Sequence, residues 1–522
     1  MSKFQNLKCN LKNVTVGIAF MSLIATQATA QESDDTLRIA IPQPFTTLDI
    51  YNFPQTQVGI ATRNIYDFLI HANHYTGEFE PGLATAWRQI DPETIELDLR
   101  KGVKFHSGND FTAYDVKATI DYLIDPDVKL RFKNWYSWAK EVQIIDSHTV
   151  RIISHKPNAV ILSQLAARIR IYDGKLLNSL ETPEDKATYG KVFASGTGPY
   201  KMVSLDPAKG YRFERFNDYW NKDAERNPSP IANIEGIFMP DRQTQLASLL
   251  AGEVDVLQEV SLDVANQFSD RDGFNVFVAP SKYIAFMTLD AAGRSGVEAI
   301  KDVRVRQALA MAINREELKT NIIAGGDKAE LPKSFCFEAN LACRPTNQPF
   351  GYDPEGAKAL LAEAGFADGL SFQLDVHAPA KRIAEAIQGY WAKIGVNVNL
   401  NSMPLPIMAQ TRAQGKSTAL VNMYPTAQGI NDVHGLLPYF FAGNRDYAGD
   451  PIFMERYAAG ELEFDLDKRA ALYQDALAKS NEQVYLYPIS EMPWVFVTVD
   501  NVVLDKNPLN AGTRFPSDFS WK

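Results

Sequence analysis

What the chain lacks narrows the field before any motif is read. Cysteine is scarce, three in 522 residues, which excludes a disulfide-rich scaffold and a cysteine-built metal cluster. Past residue 30 there is no apolar run long enough to span a bilayer. Positive charge is in deficit, 53 Lys and Arg against 63 Asp and Glu, for a net charge of −10. An acidic surface of this kind argues against nucleic acid and anionic membranes as partners. Catalytic signatures are missing too. There is no G-x-S-x-G elbow and no H-E-x-x-H, and Ser137-Trp138-Ala139-Lys140 spells S-x-x-K without the partner motifs of a serine acylase. His71 and His74 stand three apart with no evident third ligand. Gly196-Thr197-Gly198 lacks the later glycine, lysine and serine of a phosphate loop. The expectation is a protein that does no catalysis and holds neither cofactor nor metal. No solenoid or propeller period is found.

Residues 1–30 read as a secretory signal. Lys3, Lys8 and Lys12 precede an apolar stretch from Val14 to Ala25, and Ala28-Thr29-Ala30 supplies the small-x-small cleavage pattern. Cleavage near Ala30 leaves a periplasmic chain with a net charge near −13, since the segment holds those three lysines and no acid. No cysteine follows the site, so a lipid anchor is not expected. Cys9 leaves with the signal. An even pair, Cys336 and Cys343, remains in an exported protein and argues for a disulfide worth about 2.5 kcal/mol by loop entropy. A metal or redox pair is the weaker alternative, because two thiols do not complete a zinc site.

The remaining length allows two or three domains. Thr36 to Pro42 alternates as a first strand, and Ile95, Leu97 and Leu99 mark another. Arg100 to Gly108 reads as turn, short strand and turn, and Thr112 with Asp115 caps a helix after it. In the second half three helices follow from periodicity. Asp302 caps the first, Asp353-Pro354 opens the second, which ends at Gly365, and Ile383, Ile387, Tyr390, Trp391 and Ile394 form the apolar face of the third. Strands at Phe372 to Val376 and Val396 to Leu400 follow the last two. Alternating helix and strand means an α/β lobe.

Several runs carry a family resemblance. Leu83-Ala84-x-x-Trp87, Leu99 to Gly108 and Phe111-Thr112-Ala113-x-Asp115-Val116 stand in order, and Gly196-Thr197-Gly198-Pro199-Tyr200 follows. Further on come Asn217-x-Tyr219-Trp220, Gly252-x-Val254-Asp255 and Val303 to Leu309. Together they resemble the family 5 extracellular solute-binding proteins of ABC importers, over nearly the whole mature chain. The resemblance implies a type II-like, two-lobed periplasmic binding fold. Residues 31–280 would form an enlarged first lobe, residues 281–489 the second, and residues 490–522 would return to the first. A small-molecule solute would be captured between them by hinge closure and delivered, by a monomer, to an inner-membrane permease. Relatives of this kind carry peptides, nickel chelates, haem, glutathione, oligosaccharides or opines. A periplasmic chaperone or a chemoreceptor-coupled sensor of the same fold is the alternative.

Candidate ligand residues follow from the same comparison. Tyr51, Asn52 and Phe53 occupy a loop that faces the cleft in the family, although loop packing explains them equally well. Gly196, Thr197 and Gly198 form a turn able to offer N–H groups to a ligand, and His106 is expected to fix the turn at Ser107-Gly108. Lys381 and Arg382 begin a helix where peptide binders place a carboxylate-binding arginine, or they form a solvated charged turn. Trp494 lies on the return strand, and the tail from Asn507 either covers the cleft or caps the fold. Around Asn422, Met423 and Tyr424 the chain departs from the family. The aspartate that pairs with a peptide's amine is replaced, by register, with Pro425 or Thr426. A buried ammonium without a carboxylate costs several kcal/mol, so an ordinary peptide is disfavoured against an opine or sugar-phosphate conjugate.

Overall fold

The computed structural model describes residues 35–44, 46–52, 56–73, 76–222, 231–281, 283–346, 350–425, 430–504 and 518–522. The signal segment, Phe53, His74, Thr426 and most of the tail after residue 504 lie outside the described residues. Among those described, three larger sheets carry the architecture.

The first sheet has seven strands, in the order Phe274–Ala279, Trp494–Val499, Val256–Leu257, Thr36–Ile41, Asn233–Phe238, Gly210–Arg215 and Tyr200–Asp206. Thr36–Ile41 lies parallel to both of its neighbours, and its two faces are covered, so Ile39 and Ala40 are both buried. A four-stranded antiparallel sheet holds Thr94–Leu99 between Ala84–Asp91 and Thr149–Ser154, with Ala139–Asp146 beyond. Leu97, Val116 and Ile152 from this unit share one apolar cluster with Leu37, Ile234 and Phe496 of the larger sheet, which makes a single enlarged lobe.

The second lobe is built on Val396–Met403, Leu370–His377, Ala419–Pro425, Tyr283–Leu289 and Leu486–Glu491. Helix Lys381–Ala392 connects the parallel pair Leu370–His377 and Val396–Met403. Its Trp391 is fully buried, with the indole N–H 2.9 Å from the Leu309 carbonyl. The helices capped by Asp302 and Asp353 run Val303–Met311 and Pro354–Glu363. Cys336 and Cys343 are joined as a disulfide.

The chain passes between the lobes twice, from Ala279 to Tyr283 and from Glu491 to Trp494. Glu491 ties the crossings together. Its carboxylate accepts the Ser281 N–H at 2.6 Å and the Glu330 N–H at 2.9 Å, while the Ser281 hydroxyl donates to the Met492 carbonyl at 2.6 Å. Burial raises the Glu491 pKa.

The short strand expected within Arg100 to Gly108 does not form a ladder. A single bridge links Lys104 and Asp110, made by the Phe105 N–H to the Asn109 carbonyl and the Phe111 N–H to the Val103 carbonyl, and the His106 N–H turns away to the Gly196 carbonyl. Thr112 does cap helix Ala113–Ile124, with its N–H 2.8 Å from the Asp115 carboxylate.

One buried carboxyl gives the first lobe a pH signature. Asp67 accepts the Trp220 indole N–H at 2.7 Å and the Thr197 hydroxyl at 3.0 Å. Burial outweighs these donors and raises its pKa to about 6. The folded protein therefore holds this proton more tightly than the unfolded chain. The contribution is complete below the ordinary aspartate pKa and is lost as pH rises through about 6. Relative to Asp67→Asn, wild type is expected to lose on the order of 3 kcal/mol of unfolding free energy between pH 4 and 7. Urea denaturation of both proteins across that range measures it, and parallel pH curves would refute it.

Candidate functional site, a cationic and aromatic seam between the lobes

Helix Ile161–Ala167 of the first lobe ends at Arg168, and the chain then runs extended through Arg170. The Arg170 backbone is fixed twice, by a bridge to Phe68 and by the Tyr51 hydroxyl. That hydroxyl accepts the Arg170 N–H at 2.9 Å and donates to the Arg170 carbonyl. Tyr51 is itself wedged among Tyr122, Tyr136 and Tyr172, ring centroids 5.1 to 6.4 Å away. The backbone is thus held independently of the side chain it presents.

Arg170 is 6% exposed, and its guanidinium lies 4.9 Å from the centre of the Phe68 ring. Its Nε has no partner, and it makes no ion pair among the described residues. Arg63 approaches the same ring at 5.0 Å. Burial and the Arg170 charge push Arg63 down to about 9, and burial also lowers Arg170, yet a guanidinium in a protein stays charged. Beside Arg170 the Tyr66 hydroxyl is buried without a hydrogen-bond partner, and the buried Asp49 carboxylate is also near it. A cation and a hydroxyl left unmatched in one place form a donor set that an anion satisfies.

The second lobe faces this with the carboxyl ends of two parallel strands, the usual position of ligands in open α/β sheets. There His377 and Asn422 lie together, and burial lowers the His377 pKa. Met423 is half-buried and Tyr424 buried. The Tyr424 hydroxyl has no partner, and its ring stacks on Tyr439 at 4.4 Å, which carries the Arg445 guanidinium at 4.6 Å on its ring. Arg412 is buried behind them and donates to the Arg445 carbonyl at 3.1 Å. Arg168 closes the seam, interacting with Tyr136 on its own lobe and with Tyr424 and Tyr457 on the other, and burial pushes it down to about 10. At the crossing, Trp494 packs edge-on against Tyr283 at 5.8 Å.

The residues singled out from sequence divide into two groups. Asn422, Met423, Tyr424 and Trp494 lie at the seam or its crossing. The others are engaged in the fold. Tyr51 is occupied by the Arg170 backbone, and the Asn52 amide donates to Asp49 at 2.6 Å and Tyr122 at 3.3 Å. The Gly198 N–H goes to the Ile65 carbonyl, and the Gly196 N–H to His106 Nδ1 at 3.4 Å. A Cβ on Gly196 would stand 2.0 Å from the Ile65 carbonyl oxygen. These glycines therefore allow backbone to pack on backbone, and Thr197 serves Asp67. His106 holds this turn, through Nε2 to the Gly198 carbonyl at 2.8 Å, and not Ser107-Gly108 as expected. Lys381 and Arg382 are exposed and paired, Lys381 with Glu385 at 3.6 Å and Arg382 with Asp263 of the first lobe at 2.9 Å. Sequence reasoning missed Arg168, Arg170 and Tyr66. The one local signal was the alternation Arg168-Ile169-Arg170-Ile171, two charges on one side of a strand-like run.

Two α/β lobes, two crossings and a polar seam between them define a two-lobed solute-binding protein. Residues 78–448, more than half the chain, match the model of the bacterial extracellular solute-binding proteins, family 5, and the chain belongs to that family. These are solute-binding components of ABC importers and not enzymes. The glutathione-binding protein GsiB of Escherichia coli strain K12 is 25% identical over 510 residues, covering 94% of this chain and 93% of that protein. NikA from Brucella suis, in complex with Fe(III)-EDTA, superposes with a TM-score of 0.81 at 21% identity, over 93% of this chain and 100% of that one. A dipeptide binding protein from Pseudoalteromonas sp. SM9913, in complex with Met-Leu, gives 0.76 at 22% identity and the same coverage. Likeness at that level carries the fold. Among the described residues no helix is long and apolar enough to cross a membrane.

Proposed function

We propose that this importer component captures a small polar solute bearing a carboxylate or phosphate, either peptide-like or an opine or sugar-phosphate conjugate. The observation that carries the reading is Arg170, a buried arginine that makes no ion pair among the described residues, beside the unmatched Tyr66 hydroxyl. Arg168 and Tyr424 complete the anion's surroundings from both lobes, and Asn422, Met423 and Trp494 meet the rest of the solute. The strand end Val421 to Pro425 offers no carboxylate to a free amine, so the anionic group makes the principal contact. A solute touching both lobes stabilises their closed arrangement, which the permease then engages. Residues 1–30 direct the chain to the periplasm and are removed near Ala30, and the protein acts as a monomer.

The test is a thermal shift of the purified protein against dipeptides, C-amidated dipeptides, opines, sugar phosphates and neutral sugars. A solute at a hundredfold its dissociation constant adds about 2.7 kcal/mol, a visible rise in melting temperature. Stabilisation is expected from acid-bearing compounds alone. Equal stabilisation by amidated or neutral counterparts would sink the reading.

A further inference from the structure

The lobes also meet at a second place, which adjoins the seam at Tyr457. The first-lobe segment from Lys156 to Ser163 links strand Thr149–Ser154 to helix Ile161–Ala167. The second lobe grips it at four points. The Ala159 N–H donates to the Glu461 carbonyl at 2.8 Å, and the Ala159 carbonyl accepts Arg469 Nη1 at 2.7 Å. The Ser163 hydroxyl donates to Asp432 Oδ2 at 3.2 Å. Lys156 pairs with Glu461 at 2.5 Å.

Asp432 and Arg469 sit 3.1 Å apart with side chains 0% and 5% exposed. The other Asp432 oxygen accepts the His434 N–H at 2.9 Å. Both charged residues belong to the second lobe, so closure does not create their pair. Closure removes water from it and supplies the Ser163 hydroxyl and the Ala159 carbonyl in exchange. These matches exist only while the lobes are together, and a polar cluster matched in this way is favourable only in that state.

The geometry points to a latch that holds the lobes closed independently of solute, formed by the segment Lys156 to Ser163 against Asp432, Glu461 and Arg469. It goes beyond the solute reading and does not depend on it. Ser163 lies near one end of a seven-residue helix and Arg168 caps the other, so engaging the latch also seats Arg168 at the seam. The latch sets the fraction of molecules closed before solute arrives. Through that fraction it scales the apparent affinity for any solute.

The experiment needs no solute. Spin labels on Lys101→Cys and Lys393→Cys, one on each lobe, report the lobe separation by double electron–electron resonance in the protein from residue 31 onward, whose two native cysteines stay in their disulfide. Solute-free wild type is expected to show a closed population, and Lys156→Ala/Ser163→Ala is expected to lower the closed-to-open ratio about tenfold, the sum of one hydrogen bond and one partly exposed pair. An unchanged ratio in the double variant, or a wild type entirely open without solute, would overturn the latch. If the double variant does not fold, Glu461→Gln alone must still lower the ratio. Failure there overturns the proposal as well.

Discussion

Arg170→Met is expected to melt higher than the parent protein while losing its solute. An arginine 6% exposed and without an ion pair among the described residues is a net burden on the solute-free fold. The Phe68 ring offsets part of that burden, and the charge of Arg63 beside the same ring adds to it. Methionine fills similar space with no charge to desolvate. The backbone does not depend on the side chain, because Tyr51 and the bridge to Phe68 hold Arg170 through its N–H and carbonyl. A gain of roughly 2 °C is the expected scale for a change of about 1 kcal/mol in a chain of this size. Affinity should fall about a hundredfold, the loss typical of a desolvated charge pair. Arg170→Lys keeps the charge but not the planar fork and should fall between. Arg212→Met serves as the control, since that side chain is exposed and pairs with Glu235 of its own sheet at 3.6 Å, and its affinity should stay near wild type. Calorimetric titration with a solute found by thermal shift, alongside melting curves, reads all three. A lower melting temperature for Arg170→Met would mean that the guanidinium is matched in the fold, and the anion reading would fail with it.

Much of the fold was legible because its signals are local. The helices beginning after Asp302 and Asp353 carry their own caps, and the strand Thr94–Leu99 carries its own alternation. Family motifs covered the length of the chain and implied two lobes. The site was less legible because its roles are decided by partners far away in sequence. Tyr51 and Arg170 are 119 residues apart, and Asp67 and Thr197 are 130 apart. No window around Tyr51 tells that its hydroxyl is engaged, or that Arg170 is left unmatched. The same limit explains Lys381 and Arg382. Their position matched a family landmark, but the acid that claims Arg382 lies on a helix of the other lobe. Glycine at positions 196 and 198 was read as a turn offering N–H groups to a ligand, but those N–H groups are taken by Ile65 and His106. What the backbone approaches there is the chain at Asn64 and Ile65.

Arg469→Met should be among the most destabilising single changes at the lobe interface, and the charge it leaves behind explains why. Asp432 is fully buried, and Arg469 is the cation paired with it. Breaking a buried pair from one side leaves an uncompensated carboxylate and costs about 3 to 5 kcal/mol. Removing both charges should cost less than removing one. Asp432→Asn/Arg469→Met keeps an amide oxygen for the His434 N–H and turns an amide N–H toward the Ser163 hydroxyl, which can accept it, and is expected to recover a substantial part of the loss. The pH dependence separates this mechanism from simple loss of packing. Burial is the largest influence on the Asp432 pKa and raises it, while the Arg469 charge lowers it. Without Arg469 the folded pKa must rise further. A raised carboxyl contributes its stability at low pH and loses it as pH rises through the folded pKa. The deficit of Arg469→Met against wild type should therefore shrink as pH falls, whereas the double variant should show no such recovery. Urea denaturation at pH 5 and pH 7.5 decides it, and a deficit independent of pH would assign the loss to packing. The contrast with Arg170 gives the two charges opposite tasks. Arg469 is matched within the protein, whereas Arg170 makes no ion pair among the described residues and, in the proposed reading, awaits the anion of the solute.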